Sequence, residues 1–308
     1  MNLNKPKFWD YKSPNIIAYL LYPIALILRF LNFILIKNKR KKFKIKTICI
    51  GNIYLGGTGK TSLCLKLNQI LNEKKIKSCF IKKNYKNQRD EQTLLKKNGK
   101  LFLSSKRALA LKEAEKENFE VAIFDDGLQD KSINYDISFV CFNNVNWIGN
   151  GMTIPSGPLR ESFKNLKNYD HVFLNGNLEN LEKIKKQIAN VNSEINIHVG
   201  KYEPINLNEF NLNDKYFVFS GIGNHKTFIN MMIKNGLNVL KDFEFPDHHE
   251  YKKNEIDNII NEANKLNCKL ITTEKDYYRL EKFNFNKIKY LQSELKIVDN
   301  EKFINSII

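Results

Sequence analysis

Residues 45–61 read IKTICIGNIYLGGTGKT, and this stretch decides the fold. Its first part, Ile45–Ile50, is rich in apolar and β-branched residues and predicts a buried strand. A glycine-rich turn follows, and a helical pattern of leucine and isoleucine begins directly after Lys60 and Thr61. A strand, a glycine-rich turn and a helix in this order are the context of a phosphate-binding P-loop.

The P-loop supplies the first candidate site residues. In such loops the backbone N–H groups surround the phosphates, the lysine reaches the β- and γ-phosphates, and the threonine hydroxyl binds Mg²⁺. The strict pattern has glycine where this chain has Tyr54, so we interpret the loop as a variant. The predicted nucleotide-binding residues are Gly56, Gly57, Thr58, Gly59, Lys60, Thr61 and Ser62.

A second signal is the apolar run 121–124, which ends in Asp125 and Asp126. In a parallel sheet the carboxyl ends of the strands line the ligand crevice, so these acids are expected to face the P-loop. Asp125, Asp126 and Thr61 are therefore the predicted Mg²⁺ ligands. An apolar run that ends in two acids is also common in solvated turns, and only its pairing with a P-loop favours a metal site.

Strand and helix patterns alternate along the rest of the chain. This alternation predicts an α/β fold like that of P-loop NTPases, doubly wound, with a mainly parallel sheet. The further predicted strands are Ser78–Ile81, Ser138–Phe142, His171–Leu174, Glu194–His198, Tyr216–Phe219 and Leu270–Thr272. The segment Lys201–Lys215 is the least regular, and we interpret it as the junction to a smaller C-terminal α/β lobe. The predicted domains are residues 1–44, 45–205 and 206–308.

Composition limits the possible partners. The chain has 308 residues, of which 42% are hydrophobic and 12% aromatic, and this excludes a disordered chain. A net charge of +17 and a pI near 9.4 indicate an anionic partner: nucleic acid, an acidic membrane or a phosphorylated substrate. The abundance of Lys, Asn and Ile could equally reflect an AT-rich genome, so the distribution of the charge must decide.

The N-terminal region concentrates both apolar surface and charge. The apolar stretch Ile16–Ile36 contains Pro23 and carries a narrow polar stripe on one helical face, formed by Asn15, Tyr22, Arg29 and Asn32. A basic collar follows, made of Lys37, Lys39, Arg40, Lys41, Lys42, Lys44 and Lys46. This pattern predicts a helix inserted in one leaflet with its collar on anionic head groups. A single transmembrane anchor and a buried helix of the globular domain are the alternatives.

The cysteines indicate a reducing environment. Cys49, Cys64, Cys79, Cys141 and Cys268 are widely spaced, and none belongs to a C-x-x-C pair. We therefore expect reduced, buried thiols in a cytosolic compartment, without a disulfide framework or a zinc site.

Several motifs occur in a fixed order along the chain. They are GNIYLGGTGKT (51–61), DEQ (90–92), DDGLQD (125–130), IPSGPLRES (154–162), SGIGN (220–224), FPDHHEY (245–251) and TTEKDYYRL (272–280). Together with the apolar N-terminal stretch, they resemble the tetraacyldisaccharide 4′-kinase family, the lipid A 4′-kinases of Gram-negative bacteria. The resemblance implies transfer of the γ-phosphoryl of ATP to the 4′-hydroxyl of a lipid A disaccharide 1-phosphate, with Mg²⁺, at the cytoplasmic face of the inner membrane.

The resemblance also implies roles for individual residues. Asp90 matches the carboxylate that takes the proton of the sugar hydroxyl, and His248 matches the histidine that pairs with it. Lys60, Asp125, Asp126 and Arg160 complete the implied catalytic set, and the implied substrate-binding residues are Glu91, Arg107, Gln129 and Glu161. Without the resemblance, the charged stretch around Asp90 predicts a solvated loop, and His248 and His249 would only cap a helix starting near Lys252.

This chain departs from the family pattern in three places. Family members carry Ser-Arg-Gly-Tyr-Gly-Gly after the second strand, where this chain has Lys82-Lys83-Asn84-Tyr85-Lys86-Asn87. Arg89 and Gln92 replace the residues that usually flank the Asp-Glu pair, and Asp130 and Leu128 replace a histidine and a phenylalanine. Either the basic residues at 82, 83, 86 and 89 hold phosphate differently, or the substrate loop has changed.

Two other functions stay open from the sequence alone. One is a membrane-associated P-loop ATPase that acts as a switch or positioning factor, although that class carries lysine where this chain has Leu55. The other is a nucleic-acid-binding NTPase, but the densest basic cluster adjoins the apolar helix rather than aromatic residues of a groove. The expected partners are thus an acylated disaccharide lipid and an anionic membrane surface, not nucleic acid, and the expected state is a peripheral or monotopic monomer.

Overall fold

The structure is a computed structural model that describes residues 5–35, 40–85, 89–247 and 249–308, with backbone only at positions 32, 33, 35 and 89. The strands of the described residues are β1 (Lys46–Gly51), β2 (Ser78–Lys83), β3 (Leu101–Ser104), β4 (Val121–Asp125), β5 (Ile137–Asn143), β6 (His171–Asn175), β7 (Asn196–Pro204), β8 (Lys215–Ser220), β9 (Asn238–Glu244), β10 (Lys269–Thr273), β11 (Ile288–Leu291) and β12 (Ser293–Ile297). The helices there are α1 (Ile16–Leu35), α2 (Lys60–Glu73), α3 (Arg89–Asn98), α4 (Arg107–Lys116), α5 (Leu181–Ala189), α6 (His225–Lys234), α7 (Lys253–Lys265), α8 (Glu274–Leu280) and α9 (Asn300–Asn305).

The larger sheet carries the P-loop strand at its centre. Its strand order is β12-β7-β6-β5-β1-β4-β2-β3, and every neighbouring pair except β12 with β7 is parallel. Side chains of β1 alternate between two cores: Ile48 and Ile50 pack with α2, whereas Cys49 lies in the core that includes α4 and α5. Helices thus cover both faces, as parallel sheets require, and the predicted doubly wound α/β fold is confirmed.

The C-terminal lobe is built on a second, smaller parallel sheet. Its order is β11-β10-β8-β9, and β8 lies between β10 and β9. Phe217 and Phe219 of β8 pack in the core that includes α7, and Tyr216 and Val218 pack in the core that includes α6. Because side chains alternate along a strand, β8 contributes to both cores of this lobe.

The end of the chain returns to the larger sheet. Strand β12 pairs antiparallel with β7, and Phe303 of α9 packs in the same core as Ile48. The Nζ atom of Lys46 also donates to the carbonyl of Ile307 at 2.8 Å. The residues predicted as a separate lobe thus contribute their last strand and helix to the first sheet. The segment predicted as an irregular junction begins inside β7, and the boundary at residue 205 stays a prediction.

Helix α1 lies at the surface with an apolar exterior. Ala18 and Ala25 are its buried side chains among those described, whereas Ile16, Leu20 and Phe30 are exposed. Asn15 belongs to the predicted polar stripe and caps the helix, since its Oδ1 accepts from the Ala18 N–H at 3.0 Å; the Asn32 side chain lies outside the described part. None of the helices in the described ranges is both long and apolar enough to cross a bilayer.

Most of the cysteine side chains lie in the cores. Cys49, Cys64, Cys79 and Cys141 are buried, and Cys268 is partly exposed. Burial raises the pKa of the Cys79 thiol to about 12. A buried thiol with a raised pKa stays protonated at neutral pH and is a poor nucleophile, so these residues act as core side chains.

Candidate active site

The P-loop has a backbone that requires glycine at two positions. Gly59 ends the turn and precedes α2 with a φ of 76°, in the left-handed region that favours glycine. At Gly57, an added Cβ would lie 2.8 Å from the Cα of Gly223, which belongs to the SGIGN motif of the C-terminal lobe. Two backbones can approach this closely only without side chains, so the two lobes meet directly at the P-loop.

Two buried asparagines hold the loop, one directly after β1 and one at the end of β6. The Nδ2 of Asn52 donates to the Thr58 Oγ1 at 3.0 Å and to the Gly56 carbonyl at 3.2 Å. From β6, the Nδ2 of Asn175 donates to the Thr58 carbonyl at 2.8 Å. These bonds preorganise the turn that the sequence assigns to phosphate binding.

Asp126 is the centre of a cluster that contains several of the predicted residues. Its Oδ1 lies 2.8 Å from the Arg160 Nη1 and 3.9 Å from the Lys60 Nζ. Burial opposes ionisation of Asp126, but Lys60 and Arg160 outweigh it and hold the pKa of the carboxyl below its ordinary value. The Arg160 Nη1 also donates to the Gln129 Oε1 at 3.1 Å. The structure thus brings together the P-loop lysine, one predicted metal ligand and the arginine of the PLRE motif.

Asp125, the last residue of β4, is fully buried. Its Oδ2 accepts from the Thr61 hydroxyl at 3.3 Å and from the Lys82 Nζ at 2.5 Å. Its Oδ1 has no hydrogen-bond partner among the described residues. A buried carboxylate with one oxygen unpartnered, and with the other 3.3 Å from a threonine hydroxyl, suits a hard cation such as Mg²⁺, so these residues fit the predicted metal site.

Lys82 also holds the acid that follows Asp90. Its Nζ lies 2.7 Å from the Glu91 Oε2, so one ammonium group bridges β4 and α3. Burial opposes protonation of Lys82, but Asp125 and Glu91 outweigh it and raise the pKa of the ammonium group above its ordinary value. At this position the departure from the family pattern therefore places a cation on two carboxylates. Lys86 and the side chain of Arg89, two other basic residues of that segment, lie outside the described part.

Asp90 lies in the first turn of α3, not in a solvated loop, and meets the C-terminal lobe there. Its Oδ2 lies 3.0 Å from the Lys275 Nζ and pairs with the Arg279 guanidinium. Lys275 also reaches the Glu91 Oε1 at 3.6 Å. The candidate base is therefore held by two cations of the C-terminal lobe.

Contacts within the TTEKDYYRL motif position Arg279. Asp276 is fully buried, and its Oδ2 accepts from the Gly221 N–H at 3.0 Å and the Thr273 hydroxyl at 2.7 Å. Its Oδ1 pairs with the Arg279 Nη1 at 2.8 Å. This network fixes α8 and orients Arg279 toward Asp90.

The predicted partner of Asp90, His248, lies outside the described residues, so its pairing stays a prediction. The neighbouring His249 stacks on the Phe245 ring, with centroids 4.7 Å apart, and lies 2.9 Å from the Glu255 Oε2. The same Glu255 oxygen accepts from the Lys252 N–H at 2.9 Å and caps α7. His249 therefore supports the start of α7, as one interpretation of the sequence expects.

The predicted substrate-binding residues Arg107 and Glu161 differ in burial and in their contacts. Arg107 is buried, and its Nη2 donates to the Asp126 carbonyl at 2.6 Å, so it holds the turn after β4. Glu161 lies nearer the surface and accepts from the Gln129 Nε2 at 3.2 Å and the Tyr169 hydroxyl at 2.8 Å. Contact of these residues with substrate stays a prediction.

Tyr54, the residue that departs from the strict P-loop pattern, is tied to the N-terminal segment. It is buried, and its hydroxyl donates to the Asp10 Oδ1 at 2.6 Å. The adjacent Trp9 donates through Nε1 to the Pro155 carbonyl at 3.0 Å, in the loop that leads to Arg160. The segment that precedes α1 thus packs against the P-loop and the PLRE loop.

Sequence reasoning missed two cations of this site, Lys275 and Arg279, and gave Lys82 a different role. Lys82 was one of the basic residues considered for holding phosphate, whereas in the structure it pairs with the carboxylates of Asp125 and Glu91. Lys275 and Arg279 lie in a motif at a strand end, where ligand-binding residues gather, but a charged turn there is also common.

A P-loop on a central parallel strand, beside two strand-end aspartates, defines the chain as a P-loop nucleotide-binding protein. The family profile for tetraacyldisaccharide-1-P 4′-kinase matches residues 16–308. The chain belongs to this kinase family.

Named relatives agree with the profile. A tetraacyldisaccharide 4′-kinase of Pelagibacter ubique (strain HTCC1062) is 57% identical over 308 residues, which cover 100% of this chain and 98% of the relative. One of Rickettsia canadensis (strain McKiel) is 33% identical and covers 97% of this chain and 95% of the relative. The crystal structure of LpxK from Aquifex aeolicus in complex with ATP has a TM-score of 0.68 at 22% identity, covers 95% of this chain and 99% of that one, and supports the fold.

Proposed function

We propose that this chain is an ATP-dependent kinase that phosphorylates the 4′-hydroxyl of a lipid A disaccharide 1-phosphate. Beyond family membership, one observation carries the proposal. A continuous series of polar contacts runs from Thr61 of the P-loop helix through Asp125, Lys82 and Glu91 to Lys275, which also holds Asp90. The phosphate-binding element and the candidate base are therefore parts of one site.

The nucleotide side of the site supplies positive charge and backbone donors. Phosphoryl transfer demands mainly positioning and neutralisation of the phosphate charge. The P-loop backbone and Lys60 are placed for the phosphates, and Arg160 adds a guanidinium held by the same carboxylate, Asp126. An incoming phosphate would compete with Asp126 for both cations, so nucleotide binding is expected to loosen these ion pairs.

The residues that fit Mg²⁺ are Thr61 and Asp125, through the hydroxyl and the open Oδ1, with Asp126 next to them. When bound, the ion would neutralise charge on the phosphate oxygens. The protein supplies a fixed, buried carboxylate for it.

The acceptor side carries the candidate general base. Asp90 would accept the proton of the 4′-hydroxyl, and the salt bridges from Lys275 and Arg279 fix where its carboxylate lies. Because both cations come from α8 of the C-terminal lobe, the position of that lobe sets the position of the base. His248 is proposed to assist, as the family resemblance implies.

The proposed reaction is tested by the dependence of ATP consumption on the acceptor. Purified protein with Mg-ATP in detergent micelles is expected to consume ATP when tetraacyldisaccharide 1-phosphate is added. DNA, or a rise in protein concentration alone, is expected to have little effect. ATP consumption that follows DNA or self-association would instead favour a switch ATPase or a nucleic-acid-binding enzyme.

We further propose that α1 seats the enzyme on the cytoplasmic face of the inner membrane. An acylated substrate lies in a bilayer, and the large apolar side chains of α1 are exposed in the folded protein. After α1 in the sequence, the collar residues Arg40, Lys41, Lys42 and Lys44 are exposed and suit anionic head groups. Lys46 instead binds carbonyls at the C-terminus, and Lys37 and Lys39 lie outside the described residues.

Replacing Leu20 and Ile27 with glutamine tests this membrane contact. They are 73% and 58% exposed and seven positions apart on one helical face, so the fold is expected to survive. Burial of each such side chain contributes about 1.5–3 kcal/mol, so loss of the two is expected to weaken binding to phosphatidylethanolamine–phosphatidylglycerol vesicles at least about a hundredfold.

The control for this double variant is glutamine at Ile205 and Val298, which are 57% and 60% exposed but distant from α1 in sequence. Vesicle binding by the control is expected to match the wild type. Unchanged binding by the α1 variant would contradict the membrane role of the helix. Point substitutions are preferable to removal of the N-terminus, because Trp9 and Asp10 contact the folded body.

A further inference from the structure

Lys82 is a buried cation at a position where the family pattern has a serine. Its side chain is 1% exposed, although a lysine at the end of a strand usually extends into solvent. The ammonium group lies 2.5 Å from the Asp125 Oδ2 and 2.7 Å from the Glu91 Oε2. Burial of a charged side chain is costly unless it is paired, so these two carboxylates determine its position.

The two carboxylates belong to different halves of the site. Asp125 ends β4 beside Thr61, on the side that fits the metal ion, and Glu91 follows the candidate base Asp90 on α3. Lys82 occupies only one oxygen of Asp125. The other, Oδ1, is buried and has no hydrogen-bond partner in the part of the chain that the structure describes.

This arrangement has an electrostatic consequence. Without Lys82, Asp125 and Glu91 would present two carboxylate charges to a divalent ion, with Lys275 3.6 Å from the Oε1 of Glu91 as the remaining cation of these contacts. The ammonium group removes one unit of negative charge at close range and leaves Oδ1 as the open ligand position. The site then carries too little negative charge to bind a divalent ion tightly until the nucleotide phosphates add more.

We propose that the ammonium group of Lys82 weakens metal binding at Asp125 until a metal ion arrives with the nucleotide. The same group fixes the position of Glu91 on the acceptor side. Lys82 is a positioning residue, because it acts through the two carboxylates. This inference rests on the proposed kinase function but concerns metal affinity in the absence of ATP. Its failure is therefore distinguishable from failure of the acceptor-dependent assay.

The test is the affinity of the nucleotide-free protein for Mn²⁺, measured by electron paramagnetic resonance. Lys82→Met keeps a side chain of similar length without the charge, and it is expected to bind Mn²⁺ at least about tenfold more tightly than the wild type. Lys82→Arg retains the charge and is expected to bind Mn²⁺ as weakly as the wild type. The control Lys83→Met changes the neighbouring lysine, whose Nζ lies 5.3 Å from the centre of the Tyr85 ring, and is expected to have no effect.

Unchanged Mn²⁺ affinity in Lys82→Met would overturn the inference, and so would tight binding by Lys82→Arg. Should Lys82→Met fail to fold, Lys82→Gln removes the charge but keeps a side-chain amide that can donate to the two carboxylates. That variant is also expected to bind Mn²⁺ more tightly than the wild type. Failure of both variants to fold would assign Lys82 a purely structural role and would equally overturn the inference.

Discussion

Replacing Asp90 with asparagine is expected to lower kcat by about 10²–10⁴-fold, the usual contribution of a general base. Asparagine keeps the shape of the side chain and an oxygen for Lys275 and Arg279, so the lobes should stay in contact through α3 and α8. Because these contacts lie on the acceptor side, nucleotide affinity is expected to stay close to that of the wild type. Turnover with acylated acceptor and binding of an ATP analogue by calorimetry measure the two quantities separately.

The control for this variant is Asp214→Asn. Asp214 is also ion-paired, with the Lys269 Nζ 2.5 Å away, but it lies at the start of β8, at the opposite end of that strand from the loop that meets the P-loop. Turnover is expected to be unchanged in this control. Near-normal turnover in Asp90→Asn would mean that another group takes the proton, and a large loss of nucleotide affinity would mean that Asp90 supports the nucleotide side.

Replacing Lys60 with methionine is expected to lower kcat/KM for ATP by about 10³-fold. Lys60 is the P-loop cation, and the loss of one preorganised donor to a transferring phosphoryl group costs about this much. The same change also leaves Asp126 with Arg160 as its remaining close cation, so the strand-end cluster should persist. Steady-state kinetics at varied ATP concentration measure the effect.

Lys66→Met is a closely matched control. Lys66 lies on the same helix, its side chain is 15% exposed, as is that of Lys60, and its Nζ pairs with the Glu294 Oε1 at 2.8 Å. The two variants thus remove one partly buried ammonium group each from α2. Equal losses of activity in both would contradict a specific role of Lys60 and indicate a general effect on the helix.

The parts of the fold that local sequence controls were predicted well. The strand, glycine turn and helix around Lys60 follow from hydrophobic period and glycine placement within one short stretch. The strand that ends at Asp125 was predicted for the same reason. The expected position of these acids also followed, because parallel strands present their carboxyl ends at one edge.

Without the family resemblance, the sequence around Asp90 predicts a solvated loop, because the segment is highly charged. In the structure it forms a short helix, α3. Asp90 and Glu91 lie in the first turn of α3 and Lys96 and Lys97 in the last, an order that favours the helix dipole. Leu95 is the buried leucine of this helix, so the hydrophobic period along the segment is too weak to predict the helix.

The ion pairs of the site depend on partners distant in sequence. Lys82 reaches Asp125 across 43 positions, and Arg279 reaches Asp90 across 189. Neither pairing leaves a local pattern, since each side chain taken alone resembles an ordinary surface charge. The pairing of β12 with β7 in the first sheet also leaves no local pattern. In the sequence, all strands of the second sheet lie between these two strands.

Transfer of radiolabel from [γ-³²P]ATP to tetraacyldisaccharide 1-phosphate in mixed micelles tests the proposed kinase function most directly. We expect a labelled lipid whose new phosphate lies on the 4′-oxygen, with the position assigned by ³¹P NMR of the unlabelled product. The label should require both Mg²⁺ and the acylated acceptor. ATP consumption that releases only inorganic phosphate, with no labelled lipid at any acceptor concentration, would contradict it.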